Sequence, residues 1–201
     1  MIGRELLFLG ILVLSVFSVR ASLADHYFVP SGSMLPTVQL GDHLVVNKLA
    51  YGLRVPFTTT YLLHFDTPAP GEVVVLESPK NGVVLLKRVV AGPGDRVEVR
   101  HGLISLNGAP VPVEALPTGL VEELGEARHH IRAGQYAGGP DYGPTTLGPN
   151  EFLVMGDNRG DSEDGRAFGL VPRELILGRA ISIYMRESWD FTWTPLDLPA
   201  P

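Results

Sequence analysis

Short runs of aliphatic residues separated by turn formers constrain the fold of this chain more than any other feature. Such runs, bounded by Gly, Pro, Asn or Asp, occupy residues 42–49, 71–78, 82–92, 95–102, 103–108, 150–157 and 179–187. Runs of this length rich in Val, Ile and Leu are typical of strands. Only residues 171–178 have the pattern of a helix, with Pro172 suited to its first turn. The sequence therefore predicts an all-β protein with strongly bent antiparallel sheets and a barrel-like body.

The distribution of turn residues predicts one insertion in this β body. Residues 112–149 are richer in Gly, Pro and His, so we interpret them as an inserted loop or small subdomain. The β core then comprises residues 25–111 and 150–201. Asn107-Gly108 follows an apolar run and predicts a tight hairpin, because type I′ turns require positive φ.

The chain begins with an apolar segment, residues 6–19, which contains only two serines and one glycine as interruptions. With Arg4 before it and Ala24 after it, the segment has the layout of a cleavable leader. A helix that continues to Ala24, with Arg20 snorkelling outward, would reach about 29 Å and could instead span a bilayer. We favour a membrane anchor over residues 1–24, with the start of the chain inside and the body outside.

Composition excludes several classes of function. The net charge is −6, from 16 basic and 22 acidic residues, which argues against a nucleic-acid partner. The absence of cysteine excludes thiol catalysis, thiolate metal sites and disulfides. With 45% hydrophobic and 19% charged residues, the chain is predicted to be folded.

The stretch VPSGSMLPT, residues 29–37, carries two serines around one glycine. If the backbone is extended there, Ser31 and Ser33 point to the same face and Gly32 leaves the backbone accessible. One hydroxyl could then attack a carbonyl while the other donates to the developing oxyanion, as acyl transfer requires. A proline-framed turn, in which the serines only bond the backbone, is the competing interpretation.

A serine nucleophile needs a base, and the lysines offer one candidate. The six histidines are scattered, and the pair His129-His130 in the insertion is better explained by solvation than by a metal site. Lysine is rare: Lys48 ends a strand, Lys80 lies in a polar turn, and Lys87 is embedded in VVLLKRVV. Because a lysine base must be neutral, it needs a desolvated setting that lowers its pKa. We therefore favour Lys87 as a base over a Lys87 that only points to solvent.

The acidic loop, residues 155–169, contains the run MGDNRGDSEDGRAFG. A calcium loop is one interpretation, but the glycine and the twelfth-position glutamate of an EF-hand are missing. We predict no metal and no cofactor for this chain.

Four motifs in order carry a resemblance to a known family. PSGSMLPT, GDHLVVNKLAYG, LLKRVVAGPGDRVEV and VMGDNRGDSEDGR follow an N-terminal apolar segment and resemble the type I signal peptidases of bacteria. The resemblance covers roughly residues 25–54, 71–113 and 150–186. It implies a Ser/Lys protease on an all-β scaffold, anchored by a single pass in the cytoplasmic membrane with its catalytic domain outside. Its partners would be the bilayer and exported preproteins, cut after small, Ala-x-Ala-like residues.

The resemblance also implies a role for particular residues. Ser33 corresponds to the nucleophile and Lys87 to the general base, and Ser31 with the backbone N–H of Ser33 would form the oxyanion hole. Ser162 is expected to orient the lysine amine. The supporting ion pairs would be Asp164 with Arg166 and Asp157 with Arg88. The residues expected to line small substrate pockets are Val29, Pro30, Met34, Val38, Leu44 and Leu86.

One position departs from the family, and three competing hypotheses stay open. Gly165 stands where the family often has serine, so any support from that hydroxyl is missing.

The first hypothesis is a self-cleaving repressor-type Ser/Lys protease, which would carry a DNA-binding domain ahead of the serine. The second is a membrane-tethered, non-catalytic β domain that binds envelope or exported partners. The third is a secreted, calcium-stabilised β protein.

Overall fold

The computed structural model describes residues 24–55, 58, 60–133 and 138–196, together with Arg4, Glu5, Phe8 and Gly10. Most of the predicted membrane anchor, residues 1–24, therefore lies outside the described residues. No helix in the described part of the chain is long and apolar enough to cross a membrane.

Strands make up almost all the regular structure of the described residues. They are β1 Ala24–Phe28, β2 His43–Asn47, β3 Gly52–Arg54, β4 Tyr61–His64, β5 Val73–Glu77, β6 Val84–Ala91, β7 Arg96–Arg100, β8 Leu103–Leu106, β9 Ala109–Pro110, β10 Val113–Leu116, β11 Gly119–Leu124, β12 Ala127–Ile131, β13 Tyr142–Thr146, β14 Glu151–Met155, β15 Val171–Pro172, β16 Ile176–Met185 and β17 Phe191–Pro195. Among the described residues from Ala24 onward, helical structure is limited to α1, Gly165–Phe168, and a 3₁₀ turn, Arg173–Leu175. The prediction of an all-β protein is confirmed.

The predicted helix over residues 171–178 is wrong. Val171–Pro172 pairs with β14, Arg173–Leu175 forms the 3₁₀ turn, and Ile176 begins the ten-residue strand β16. Ile176 is buried opposite Leu76 of β5. Pairing with strands that are distant in sequence therefore overrides the local helical pattern.

The main sheet is antiparallel and runs in the order β1-β2-β16-β5-β6-β14-β15. β5 pairs with the first part of β16, and β17 pairs with its last part. The register of β16 shifts where it pairs with β2, β5 and β17, and such irregularities bend a strand. The sheet is consequently curled, and β6 lies near its centre between β5 and β14.

Both faces of the sheet are covered at β5. Val73 and Val75 belong to one core cluster, whereas Val74 and Leu76 belong to another. Alternate residues of a strand point to opposite faces, so β5 separates two cores. The same alternation on β6 directs Lys87 and Arg88 to opposite sides, and both side chains are buried.

The insertion, residues 112–149, contains strands. β10, β11 and β12 form a three-stranded antiparallel sheet, and β13 pairs with β7 of the neighbouring sheet. The boundaries of this segment as a subdomain stay a prediction. The hairpin at Asn107-Gly108 is confirmed, with φ of 55° and 85° and Leu106 paired with Ala109.

Candidate active site

The Ser33 loop, residues 29–37, is the first part of the connection between β1 and β2. Backbone bonds anchor its start, where the Val29 N–H donates to Asp42 O at 2.9 Å and the Gly41 N–H donates to Val29 O at 2.9 Å. The loop then folds into turns, with the Leu35 N–H on Gly32 O at 3.1 Å. The turn over residues 32–35 thus differs from the extended backbone on which one interpretation of Ser31 and Ser33 rested.

The side chains of Ser33 and Lys87 meet across the fold. The Lys87 amine lies 2.7 Å from Ser33 Oγ and donates a hydrogen bond to it. Lys87 extends from the centre of β6 and is only 2% exposed. Burial lowers the pKa of Lys87 from 10.5 to about 8, although nearby Asp164 and Asp157 act in the opposite direction. A large fraction of this amine is thus neutral at mildly alkaline pH.

Two hydrogen-bond donors lie beside the Ser33 hydroxyl. Ser31 Oγ is 3.5 Å from Ser33 Oγ, and the Ser31 side chain is exposed. Within the described residues, the backbone N–H of Ser33 makes no hydrogen bond. The Ser31 hydroxyl and the Ser33 N–H are therefore positioned to donate to an oxygen atom that approaches Ser33.

A buried ion pair fixes the acidic loop beneath Lys87. Arg166 donates to both carboxylate oxygens of Asp164, at 2.8 Å each, and both side chains are buried. Asp164 Oδ2 also accepts from the Gly156 N–H at 3.0 Å. Asp164 additionally caps α1 through the Arg166 N–H. The structure thus brings together the predicted pair Asp164 and Arg166.

A second buried ion pair holds the other face of β6. Arg88 donates to Asp157 through Nε at 2.9 Å and Nη2 at 2.7 Å. The Thr37 hydroxyl donates to the same carboxylate at 2.5 Å. Burial alone would raise the pKa of Asp157, but Arg88 and the hydroxyl of Thr37 lower it to about 2. The predicted pair Asp157 and Arg88 is also present, and it ties β6 to the Ser33 loop.

An apolar cleft of about 220 Å³ leads to Ser33. Five of the predicted pocket residues line it: Val29, Pro30, Met34, Leu44 and Leu86. Val38 does not line this cleft but is buried in the core cluster that also contains Val29, Met34 and Leu44, so its place in a substrate pocket stays a prediction. Sequence reasoning missed the remaining lining residues, Tyr27, Phe28, Val75, Val83, Val84 and Leu85. Most of them continue β1 and β6, the strands that flank the cleft.

The chain matches one protein family over most of its length. The model of the family described as signal peptidase, peptidase S26, matches residues 2–185.

The chain belongs to this family.

Individual proteins similar to this chain are named signal peptidase I. Signal peptidase I of Pseudomonas aeruginosa is 34% identical over 197 residues, which cover 87% of this chain and 68% of the relative. Signal peptidase I of Leptolyngbya laminosa is 32% identical over 183 residues, covering 86% of this chain and 74% of the relative. A crystal structure of a signal peptidase I from Enterococcus faecalis shares 23% identity and has a TM-score of 0.40. It covers 57% of this chain and 97% of its own.

Ser162 departs from the expectation for this family of serine peptidases. Its buried hydroxyl has no hydrogen-bond partner among the described residues, so the expected bond to the Lys87 amine is not formed. The Lys87 amine instead points to Ser33. Ser162 nevertheless lies close to the site, since a Cβ built on Gly156 would meet both Ser162 Oγ and the Ser33 carbonyl oxygen. Only glycine fits at position 156.

Close packing explains why Gly165 stands where the signal peptidase family often has serine. A Cβ at this position would lie 2.8 Å from Leu153 Cδ1 and 2.9 Å from the Val154 carbonyl oxygen. Helix α1 therefore approaches β14 more closely than a serine would allow in this chain.

Sequence reasoning missed a clamp formed by Asn158. Its backbone N–H donates to Ser33 O at 3.0 Å, and its Nδ2 donates to Gly32 O at 3.0 Å. These two bonds hold the carbonyl groups that precede and follow the Ser33 N–H. The position within the acidic loop was visible in the sequence, but the long-range contact was not.

The insertion reaches the site through a buried cluster. Arg159 donates to Glu122 of β11 at 2.8 Å and 2.5 Å, and both side chains are buried. Next to them, His129 Nε2 lies 3.3 Å from Glu122 Oε2 and 3.9 Å from Asp157 Oδ1. The prediction that the His129 pair is solvated is wrong for His129, which is 5% exposed, because β12 packs against the acidic loop.

Proposed function

We propose that this chain is a membrane-bound serine endopeptidase that removes signal peptides from exported preproteins, with Ser33 as nucleophile and Lys87 as general base. The observation that carries the proposal is the 2.7 Å contact between Ser33 Oγ and a buried lysine whose pKa is lowered to about 8. Burying a lysine on a strand destabilises the fold, since desolvation disfavours the charged amine, and a catalytic role would explain why this lysine is buried. Membership of the signal peptidase family supports the same conclusion.

The reaction begins with transfer of the Ser33 hydroxyl proton to the neutral Lys87 amine. Ser33 Oγ attacks the carbonyl carbon of the scissile peptide bond and forms a tetrahedral intermediate. The C–N bond then breaks, and the leaving nitrogen takes the proton from the Lys87 ammonium. A water molecule, deprotonated by the same amine, hydrolyses the acyl ester and regenerates Ser33.

The oxyanion of the intermediate would be bound by the Ser31 hydroxyl and the Ser33 N–H. Loss of one such donor typically lowers the rate by about 10²–10³. The Asn158 clamp supports this role, because it holds the carbonyl oxygen of the peptide group that carries the Ser33 N–H and the carbonyl oxygen of the next peptide group. The ion pairs Asp164–Arg166 and Asp157–Arg88 hold the surrounding backbone and β6 in place.

The apolar cleft would accept the residues before the cut. It is lined mainly by aliphatic side chains, among them Val29, Leu44 and Leu86. A cleft of about 220 Å³ suits small apolar side chains and excludes bulky ones by steric overlap. This supports cleavage after small, Ala-x-Ala-like residues.

Residues 1–24 would anchor the enzyme in the cytoplasmic membrane by a single pass, with the β body on the outer side. The apolar composition of residues 6–19 supports an anchor. Exposed aromatic side chains offer a further apolar surface at the other end of the chain, namely Trp189, Phe191 and Trp193. Such a surface is suited to contact with lipid.

The decisive experiment compares wild type, Ser33→Ala and Lys87→Arg as full-length chains in detergent. Each is incubated with a preprotein, and the new N-terminus is identified by mass spectrometry. We expect wild type to cut after a small residue. Both variants should be inactive, because alanine lacks the nucleophile and arginine does not deprotonate. Cleavage by Ser33→Ala would place the nucleophile elsewhere. Failure of wild type on a panel of preproteins would favour a non-catalytic tethered domain.

A further inference from the structure

A second cavity, of about 500 Å³, meets the apolar cleft at Ser33 and Lys87. From there it continues along Leu35, Asn158, Asp161 and Glu163. The Ser33–Lys87 pair therefore lies where two cavities of different character join. The first is lined mainly by aliphatic side chains, whereas the second lies between the Ser33 loop, β6 and the acidic loop, which contributes two carboxylates.

The position of the second cavity decides which part of a substrate it can hold. This step rests on the proposed function. If the residues before the cut occupy the apolar cleft and the scissile carbonyl lies at Ser33 Oγ, the chain beyond the cut must leave the site elsewhere. The second cavity adjoins Ser33 outside the cleft, and we call it the leaving-side cavity.

Apart from the Lys87 amine and the hydroxyls of Ser31 and Ser33, the polar side chains that line the leaving-side cavity are two carboxylates and one amide. Asp161 and Glu163 are exposed carboxylates. The ion pair between Glu163 and Lys80, at 2.7 Å, leaves both side chains more than half exposed, so it is strongly screened. Lys80 does not line the cavity, and its single charge opposes two carboxylates.

Asn158 adds an acceptor that has no partner. The residue lines the leaving-side cavity and is only 4% exposed. Its Nδ2 is committed to Gly32 O, and its Oδ1 has no hydrogen-bond partner within the described ranges. A buried acceptor without a partner is unfavourable, and a peptide N–H from a bound chain would satisfy it.

The chain beyond the cut supplies matching donors. It carries backbone N–H groups, and after the C–N bond breaks it begins with an amine whose pKa is about 7.7–8.0, so much of it becomes an ammonium. We propose that the leaving-side cavity binds the first residues of the released chain, and that Asp161 and Glu163 make it favour lysine or arginine there over aspartate or glutamate.

The test uses two synthetic peptides that are blocked at both ends and differ only in the second residue after the cut, Lys or Glu. The ratio of their kcat/KM values is measured with the full-length enzyme in detergent. At low ionic strength we expect the wild type to have a kcat/KM about fivefold higher for the Lys peptide than for the Glu peptide, because two partly solvated carboxylates attract the lysine charge. The ratio should shrink in about 1 M salt.

The double variant Asp161→Asn/Glu163→Gln should bring the ratio to about one. A matched control, Glu126→Gln/Glu174→Gln, removes two exposed carboxylates that do not line the cavity and should keep the wild-type ratio. Because the ratio compares two substrates of one preparation, partial unfolding or a changed Lys87 pKa cancels.

Two outcomes overturn the inference while leaving the protease intact. A wild-type ratio near or below one means that the cavity does not select cationic residues. A ratio that persists in the Asp161/Glu163 variant, or that falls equally in the control, places the selectivity elsewhere. In contrast, cleavage that survives Ser33→Ala would refute the proposed function itself, so the two failures are distinguishable.

Discussion

At the scale of single residues, Lys87 carries a structural cost that its proposed role as general base would explain. Its amine is buried, and its neighbours are two carboxylates that are already paired with Arg88 and Arg166. Because those arginines neutralise the carboxylates, burial remains the dominant influence and the pKa of Lys87 is lowered to about 8.

The lowered pKa predicts a pH profile. The neutral amine is the active form of the base, so kcat/KM should rise with pH and level off above about pH 8. The profile can be measured with a peptide substrate between about pH 6 and 10. A flat profile over this range would exclude Lys87 as the base. The stability of the enzyme at each pH, followed by circular dichroism, is the control.

The burial of Lys87 also predicts that replacing this lysine by an apolar residue makes the folded chain more stable near neutral pH. The pKa of Lys87 is lower in the folded chain than its ordinary value of 10.5, so the unfolded chain binds more protons between these values. Stability is therefore lost as pH falls from about 10.5 to 8, by up to about 3 kcal/mol. Lys87→Met should unfold at higher urea concentration than wild type at pH near 7, with no difference above the ordinary lysine pKa. An equal or less stable variant near neutral pH would contradict this.

At the scale of elements, the sequence predicted the positions of the strands better than it predicted which strands pair with each other. Residues 42–49 and 150–157 become β2 and β14, because alternation and turn residues are local signals. The apparent helix at 171–178 failed because Ile176 pairs with a strand about one hundred residues away in sequence.

The candidate site shows the same division. Ser33 and Lys87 could be named from motifs in order, although they lie 54 residues apart and nothing local predicts their contact. The Asn158 clamp and the Glu122–Arg159 pair could not be named, because each depends on how the acidic loop packs against other elements. Nor could the sequence show that the Ser162 hydroxyl has no hydrogen-bond partner among the described residues.

The contact between α1 and β14 predicts that restoring the common serine of the family would be harmful here. A side chain at Gly165 would approach the Val154 carbonyl oxygen to 2.9 Å and Leu153 to 2.8 Å. We expect Gly165→Ser to destabilise the fold by about 1–3 kcal/mol through overpacking. Thermal unfolding provides the measurement, and Ala167→Ser, on the exposed side of α1, is the matched control. A neutral or stabilising Gly165→Ser would show that α1 moves away from β14 without penalty.

At the scale of the whole molecule, a buried ion pair joins the inserted sheet to the candidate catalytic centre. Arg159 belongs to the acidic loop and binds Glu122 of β11, as well as the Gly102 carbonyl oxygen at 2.7 Å. Burial would raise the pKa of Glu122, but Arg159 and His129 lower it to about 2. Since this value is below the ordinary 4.5, the stability it contributes is present above about pH 4.5 and is lost as pH falls toward 2.

Glu122→Gln leaves the Arg159 charge buried without its carboxylate, and we expect a loss of about 3–5 kcal/mol in unfolding free energy. Because Arg159 directly follows the Asn158 clamp, kcat should fall more than KM rises when the loop loosens. The double variant Glu122→Gln/Arg159→Met also removes the uncompensated charge of Arg159, so it should recover much of the stability that Glu122→Gln loses. Because the hydrogen bonds of the Asn158 clamp involve neither side chain, the clamp should form again and activity should recover as well. Urea unfolding and peptide kinetics on all three variants separate the two effects. If Glu122→Gln unfolds like wild type and cuts at the wild-type rate, the inserted sheet does not support the site through this pair.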